Sequence, residues 1–252
     1  MHRGRRVRPA AGGRVCAGLR HRGSQVPEAR PGAGESELPA ALQSSDGRPG
    51  AERVNGARPP LVLASASPRR REILSSLGVV IEVQPSEADE RGIEVEDDVE
   101  FVRAAAQMKL QSVLGTCRYA SAYVLAADTM VCVDGQRLGK PVDDADAIRM
   151  LQLLVGRDHI VRTAIALGRV GEGVLECRVV ETRVWFRPAS RGDLERYVAA
   201  GESRDKAGAY GIQGLASGFV TRLEGSYTNV VGLPAAEVLA LLIEHGALGQ
   251  WP

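Results

Sequence analysis

The feature that most limits what this chain can fold into is an alternation between two hydrophobic periods. From Leu61 onward, short apolar runs of strand character take turns with segments whose apolar residues recur at helical spacing. LVLA (61–64), VVIEVQP (79–85) and YVLAA (123–127) read as strands, the last ending at Asp128. HIVRTAIALGRV (159–170) and VLECRVVETRVWF (174–186) read as long strands, and FVTRLEG (219–225) as another. Helices are predicted over 68–77, closed by Gly78, and over 99–114, with Val102, Ala105, Ala106, Leu110 and Val113 on one face. Others are predicted within 142–156, with Asp143 or Asp144 near the start and Gly156 after the end, and over 190–201 and 235–245. Strands mixed with helices throughout predict an α/β fold with a sizeable mixed sheet.

The first 58 residues take no part in this pattern. They are rich in Arg, Gly, Pro and Ala and lack sustained apolar periodicity, so a disordered extension is expected there and a globular domain over 59–252. MHRGRRVRP has the basic flavour of a transit peptide, without the Ser content or clear amphipathic helix of one. An added extension, or a start codon assigned too far upstream, explains it as well as targeting does. The formal net charge is +1, so nothing global favours a nucleic acid or a membrane surface as partner. No apolar stretch approaches the ~20 residues that a membrane span requires. Cys16, Cys117, Cys132 and Cys177 lack C-x-x-C spacing and read as structural thiols of a reducing compartment, hence a cytoplasmic protein. His2, His21, His159 and His245 are scattered and form no metal-binding motif.

Three segments carry candidate chemistry. In LASASPRRREI, Ser67-Pro68 reads as N-cap and first helical residue, which puts Arg69, Arg70 and Arg71 in the first turn. Cations there oppose the helix macrodipole by about 0.3–1 kcal/mol each. Either an anion resolves the conflict or the arginines are simply solvated. In YVLAADTMVCVDGQRLGKP, Asp134-Gly135 signals a type I′ hairpin pairing Val133 with Gln136. Counting back sets Lys140 opposite Thr129, beside Asp128, at the carboxyl end of a strand, where α/β sheets bind ligands. An edge-strand ion pair accounts for that juxtaposition equally well. GQRLGKP lacks Walker A spacing, and GAYGIQG lacks the G-x-G-x-x-G pattern. The acidic loop adds Glu87, Asp89 and Glu90, which are either solvated or available to a metal. Cations that bind phosphate, with carboxylates that hold Mg²⁺ and orient water, fit phosphate-anhydride chemistry.

S-A-S-P-R-R, the acidic loop ending D-E at Glu90, A-A-D-T at 126–129, G-K-P at 139–141 and D-K-A-G-A-Y-G-I-Q-G at 205–214 occur in this order. Together they make the chain from about Leu61 to its end resemble the Maf family of nucleoside triphosphate pyrophosphatases. The resemblance implies a two-lobed single domain with a cleft and a mixed central sheet flanked by helices, as in inosine-triphosphatase-like folds. It also implies hydrolysis between the α- and β-phosphates with a divalent cation (Mg²⁺ or Mn²⁺), and a homodimer. Asp128 matches the family's proton acceptor, and Arg69, Arg70, Lys109 and Lys140 its basic positions. Glu90 matches an acidic position that binds metal together with Asp128, and Ser65 would hydrogen-bond phosphate. Around Lys109, AAAQ departs from the usual L-A-x-x-K-A pattern. Thr129 and Gln213, with Arg70, match the subgroup that acts on dTTP, UTP and modified uridine triphosphates; methylated-guanosine enzymes carry Gln and Glu at the first two positions. A Gln amide both donates and accepts, which suits a pyrimidine edge.

The function expected is therefore house-cleaning hydrolysis of dTTP and UTP to monophosphate plus diphosphate. A methylated purine triphosphate is opposed by Thr129 and Gln213. A regulatory protein of cell division or septum formation, with catalysis secondary, is the alternative from another class. A nucleic-acid platform is opposed by the balanced charge and the lack of interleaved aromatic and basic residues.

Overall fold

The longest strands set the architecture. In a computed structural model of the chain, which describes residues 60–252, β3 (Tyr123–Val133), β5 (Asp158–Arg169) and β6 (Gly173–Phe186) form an antiparallel core. β1 (Leu61–Leu63) lies parallel to β3, and β2 (Ile81–Val83) lies parallel to β1. β7 (Val220–Glu224) closes the far edge against β6, and β4 (Gln136–Leu138) folds back on the end of β3. The result is a seven-stranded mixed sheet in the order β2-β1-β3-β5-β6-β7, with β4 beside β3. The mixed α/β class read from the sequence is the class observed. The extension expected over 1–58 lies outside the described residues.

Alternation along the strands sorts two cores. Val62, Val124, Ala126, Met130, Ala164 and Ala166 face α2 (Asp98–Leu114), whose Val102, Ala106, Leu110 and Val113 pack on them. The intervening residues Leu61, Leu63, Leu125, Val131, Ile165 and Leu167 belong to the other core. There α1 (Pro68–Ser76), α3 (Asp144–Leu154), α4 (Arg191–Ala199) and α6 (Ala235–Glu244) contribute Ile73, Leu74, Leu151, Leu194, Val238 and Leu242. Helix starts follow local chemistry. Asp97 accepts from the Val99 and Glu100 amides, Asp143 from Asp146, and Ser190 forms a reciprocal capping box with Asp193. Ser67 precedes Pro68 at the start of α1, but its side chain caps nothing.

Three details differ from expectation. β3 does not end at Asp128 but runs on to Val133, because Asp128 and Thr129 find polar partners on their two faces. The predicted hairpin is present, with positive φ at Asp134 (49°) and Gly135 (72°) and Val133 opposite Gln136. Its ladder stops at Leu138, so Lys140 is never placed opposite Thr129; the next carbonyl, of Gly139, accepts instead from the Gly208 amide at 3.0 Å. Finally, α5 (Tyr227–Val231) has no counterpart in the sequence reading. Its start is fixed by Ser226, whose hydroxyl accepts from the Asn229 amide at 3.2 Å.

Gly168 lies against Leu110 and Leu114 of α2, at the register shift between β5 and β6. A Cβ there would lie 2.7 Å from the Gly173 carbonyl oxygen and 2.9 Å from Leu114 Cδ1. Gly168→Ala should therefore destabilise the fold by about 1–3 kcal/mol, the usual cost of overpacking. Urea denaturation of the two proteins measures it.

Candidate active site

A gap in one edge of β3 creates the site. On that edge β1 pairs as far as Leu125 and β4 begins at Val131, leaving 126–130 without a neighbouring strand. A cleft of about 1000 Å³ opens over this gap. All nine expected site residues line it: Ser65, Arg69, Arg70, Glu90, Lys109, Asp128, Thr129, Lys140 and Gln213. Because Asp128 and Thr129 are adjacent in a strand, their side chains leave on opposite faces. The cleft thus wraps around a strand edge and draws on both sides of the sheet.

On the α2 side, Lys109 projects from the helix between two carboxylates. Its Nζ lies 2.5 Å from Asp128 Oδ1 and 2.7 Å from Glu90 Oε1. The ammonium beside Asp128 is therefore Lys109, from a helix the hairpin argument never involved, and not Lys140. Lys140 is exposed in the cleft and makes no ion pair among the described residues. Of the three carboxylates Glu87, Asp89 and Glu90, only Glu90 lines the cleft; Asp89 is tied to Arg91 at 2.9 Å in the solvent.

On the other side, the three arginines separate. Arg71 is exposed and points away from the cleft. Arg69 pairs with Asp205 at 3.1 Å. Arg70 turns inward and is 9% exposed. Its Nε donates to the Gly232 carbonyl at 2.8 Å, Nη1 to the Ala127 carbonyl at 2.7 Å and to Ser65 Oγ at 3.0 Å, and Nη2 to Thr129 Oγ1 at 3.1 Å. Ala127 lies in the gap, so a guanidinium takes the place of the missing strand. Burial pushes the Arg70 pKa down, and the charges of Asp128 and Glu90 oppose that. Ser65 accepts from the Ser67 amide at 3.2 Å as well as from Arg70, which leaves its own O–H to donate.

Asp205 and Lys206 close the rim. Sequence reading quoted them inside the glycine-rich motif without giving them a task. Asp205 accepts from Lys206 Nζ at 2.5 Å as well as from Arg69, tying α1 to the loop. Glu202, also in the cleft, accepts from the Leu215 amide at 2.9 Å, and any side chain at Gly214 would collide with its carboxylate. The amide of Gln213 between them is exposed in the cleft and without a partner among the described residues.

The family model for Maf-like proteins matches residues 60–245. The chain belongs to the Maf family. Its curated relatives include three proteins named dTTP/UTP pyrophosphatase. That of Geobacter metallireducens is 46% identical over 75% of this chain and 97% of the relative. That of Symbiobacterium thermophilum is 45% identical over 74% and 94%, and that of Chromobacterium violaceum 44% over 74% and 94%. A solved nucleoside-triphosphatase (dITP/XTP pyrophosphatase) from Mycobacterium abscessus is 17% identical over 74% of this chain, with a TM-score of 0.34. That likeness is too slight to bear on the site.

Beneath the glycine-rich loop lies a buried aromatic cluster. Tyr210, which lines the cleft, shares a 2.8 Å hydrogen bond with His159 Nε2, and both rings pack edge-on against Phe186. Burial lowers the His159 pKa from 6.5 to about 4. The unfolded chain therefore binds a proton below pH 6.5 that the native state refuses until about pH 4. Stability should fall with pH across that window, by up to about 3 kcal/mol at 1.36 kcal/mol per pH unit. The His159→Gln protein should show a shallower slope between those limits in chemical denaturation, with no difference in slope above them.

Proposed function

We propose that this protein hydrolyses dTTP, UTP and modified uridine triphosphates to the monophosphate and diphosphate, keeping unwanted nucleotides out of nucleic acids. The observation that carries the reading is the pairing, across one strand edge, of a carboxylate cluster with an arginine-bearing helix start. Asp128 and Glu90 stand on one side; Ser65, Arg69 and Arg70 stand on the other. The N-terminal amides of α1 lack a side-chain cap, which suits a phosphate oxygen. Curated relatives at about 45% identity bear this activity in their names. The regulatory alternative is not favoured.

In this reading Asp128 accepts a proton from the attacking water. Lys109 holds Oδ1, which leaves Oδ2 as the oxygen able to take the proton. Water adds to the α-phosphorus, the bond to the bridging oxygen breaks, and pyrophosphate leaves. Arg69, Arg70 and Lys140 stabilise the charge on that leaving group. Gln213 reads the pyrimidine edge with both halves of its amide.

The carboxylates suit a divalent cation. Glu90 and Asp128, from a loop and a strand, already converge on one cationic nitrogen. Among the described residues no group of three or more His, Cys, Asp or Glu forms a cage. Two such carboxylates suit Mg²⁺ or Mn²⁺, with water and phosphate oxygens completing the shell. When bound, such a cation supplies charge neutralisation at the phosphates. Cys117, Cys132 and Cys177 are free thiols, which supports a cytoplasmic setting. The homodimer rests on the family resemblance alone.

Pyrophosphate release from a panel of triphosphates with Mg²⁺ or Mn²⁺ tests the reading. dTTP and UTP should be turned over in preference to methylated GTP, ITP and ATP. Asp128→Asn should lower kcat by roughly 10²–10⁴. Turnover of none of them by the wild type rejects the proposal.

A further inference from the structure

A line of buried polar groups runs from Arg70 through the sheet to α5. Thr129 and Thr163 face each other across β3 and β5, with their hydroxyls 3.0 Å apart. Thr163, fully buried, donates to the Asn229 carbonyl at 3.1 Å. The Asn229 side chain, also fully buried, is held by the Val161 carbonyl at 3.1 Å and Thr182 Oγ1 at 2.9 Å.

Each hydroxyl has one proton, and this fixes the direction of the line. Thr163 gives its proton to Asn229, so towards Thr129 it can only accept. Thr129 therefore donates to Thr163 and can only accept from Arg70 Nη2. The rival acceptor for the Thr129 proton, the Gly232 carbonyl, is farther at 3.4 Å and already accepts from Arg70 Nε at 2.8 Å. Among the five guanidinium N–H groups, four have internal acceptors: Gly232, Ala127, Ser65 and Thr129. One Nη2 N–H is left without an acceptor among the described residues, on a side chain that lines the cleft.

We propose that Thr163 is a positioning residue: it fixes the Thr129 hydroxyl as an acceptor and so aims the last free N–H of Arg70 at the nucleotide. Thr129 then influences the substrate through Arg70 and donates no proton to it. The role given to the nucleotide rests on the pyrophosphatase reading above, while the hydrogen-bond line does not.

The test uses the full chain with Thr163→Val, which keeps the shape and loses the hydroxyl, and Thr163→Ser, which restores the hydroxyl. The first readout is solvent exchange of the Arg70 guanidinium protons by ¹⁵N NMR, assigned with Arg70→Lys. The second is the Kd of a non-hydrolysable α,β-methylene UTP, with thermal unfolding confirming that each variant is folded. In Thr163→Val, exchange at Nη2 should quicken and Kd should rise, each by about tenfold, as expected when a hydrogen bond to a charged group is lost. Thr163→Ser should return both to wild-type values. A folded Thr163→Val with unchanged exchange or unchanged Kd overturns the proposal, and so does a Thr163→Ser that fails to restore them. A wild type that binds the analogue without turning over any triphosphate rejects the pyrophosphatase reading and leaves these two readouts to decide the role of Thr163.

Discussion

A single buried guanidinium holds the site together. The edge of β3 is interrupted between Leu125 and Val131, and an interrupted edge exposes backbone groups that must find partners. Arg70 supplies the partner for Ala127 and at the same time takes the Gly232 carbonyl from the turn after α5. One side chain thus joins α1, β3 and the C-terminal segment. An arginine suits the task better than a lysine, because its planar fork presents five fixed donors and keeps its charge when buried. Losing it would strand two carbonyls in a nearly dry place, and each such orphan costs about 1–3 kcal/mol. The residue that lines the cleft is thus also one that the fold depends on.

Before any ligand arrives, most cations of the cleft are already paired. Lys109 serves Asp128 and Glu90, while Arg69 and Lys206 share Asp205. A weakly charged ligand would have to break these pairs with little return. A triphosphate accompanied by a metal ion can exchange one set of pairs for another, its oxygens taking the cations and its metal taking the carboxylates. Lys140, exposed and without such a partner among the described residues, would be available to such a ligand without breaking a pair.

Much of this could be read from the chain because the deciding signals are local. Asp134-Gly135 sets a hairpin by its own backbone preference, Asp143 and Ser190 announce helix starts, and alternating residues divide the strands into faces. What could not be read depends on distant partners. β3 continues through Asp128 because β5 pairs with it as far as Cys132 and because Lys109 and Arg70 meet the polar side chains on its two sides, and no window around 123–133 contains these partners. The hairpin ladder was extended to Lys140 by counting, but Gly139 is claimed by Gly208, some seventy residues on. The five residues of α5 carry little periodicity, and their position is set by Asn229 reaching back to β5 and β6. Family motifs named residues that all line one cleft, whereas the pairing among them is a matter of tertiary geometry.

The opposite-face arrangement of Asp128 and Thr129 bears on how such a protein can diverge. In the proposed reading, the groups that would take the proton and hold the metal sit on the α2 side, while Thr129 and Gln213, which would read the base, sit on the other face and in the glycine-rich loop. A change at Thr129 or Gln213 would then alter what is accepted while leaving the carboxylates of the other face in place. Duplicated copies could therefore explore new substrates one substitution at a time, each intermediate retaining a working hydrolytic centre, because a single peptide unit insulates the inherited chemistry from the part open to innovation.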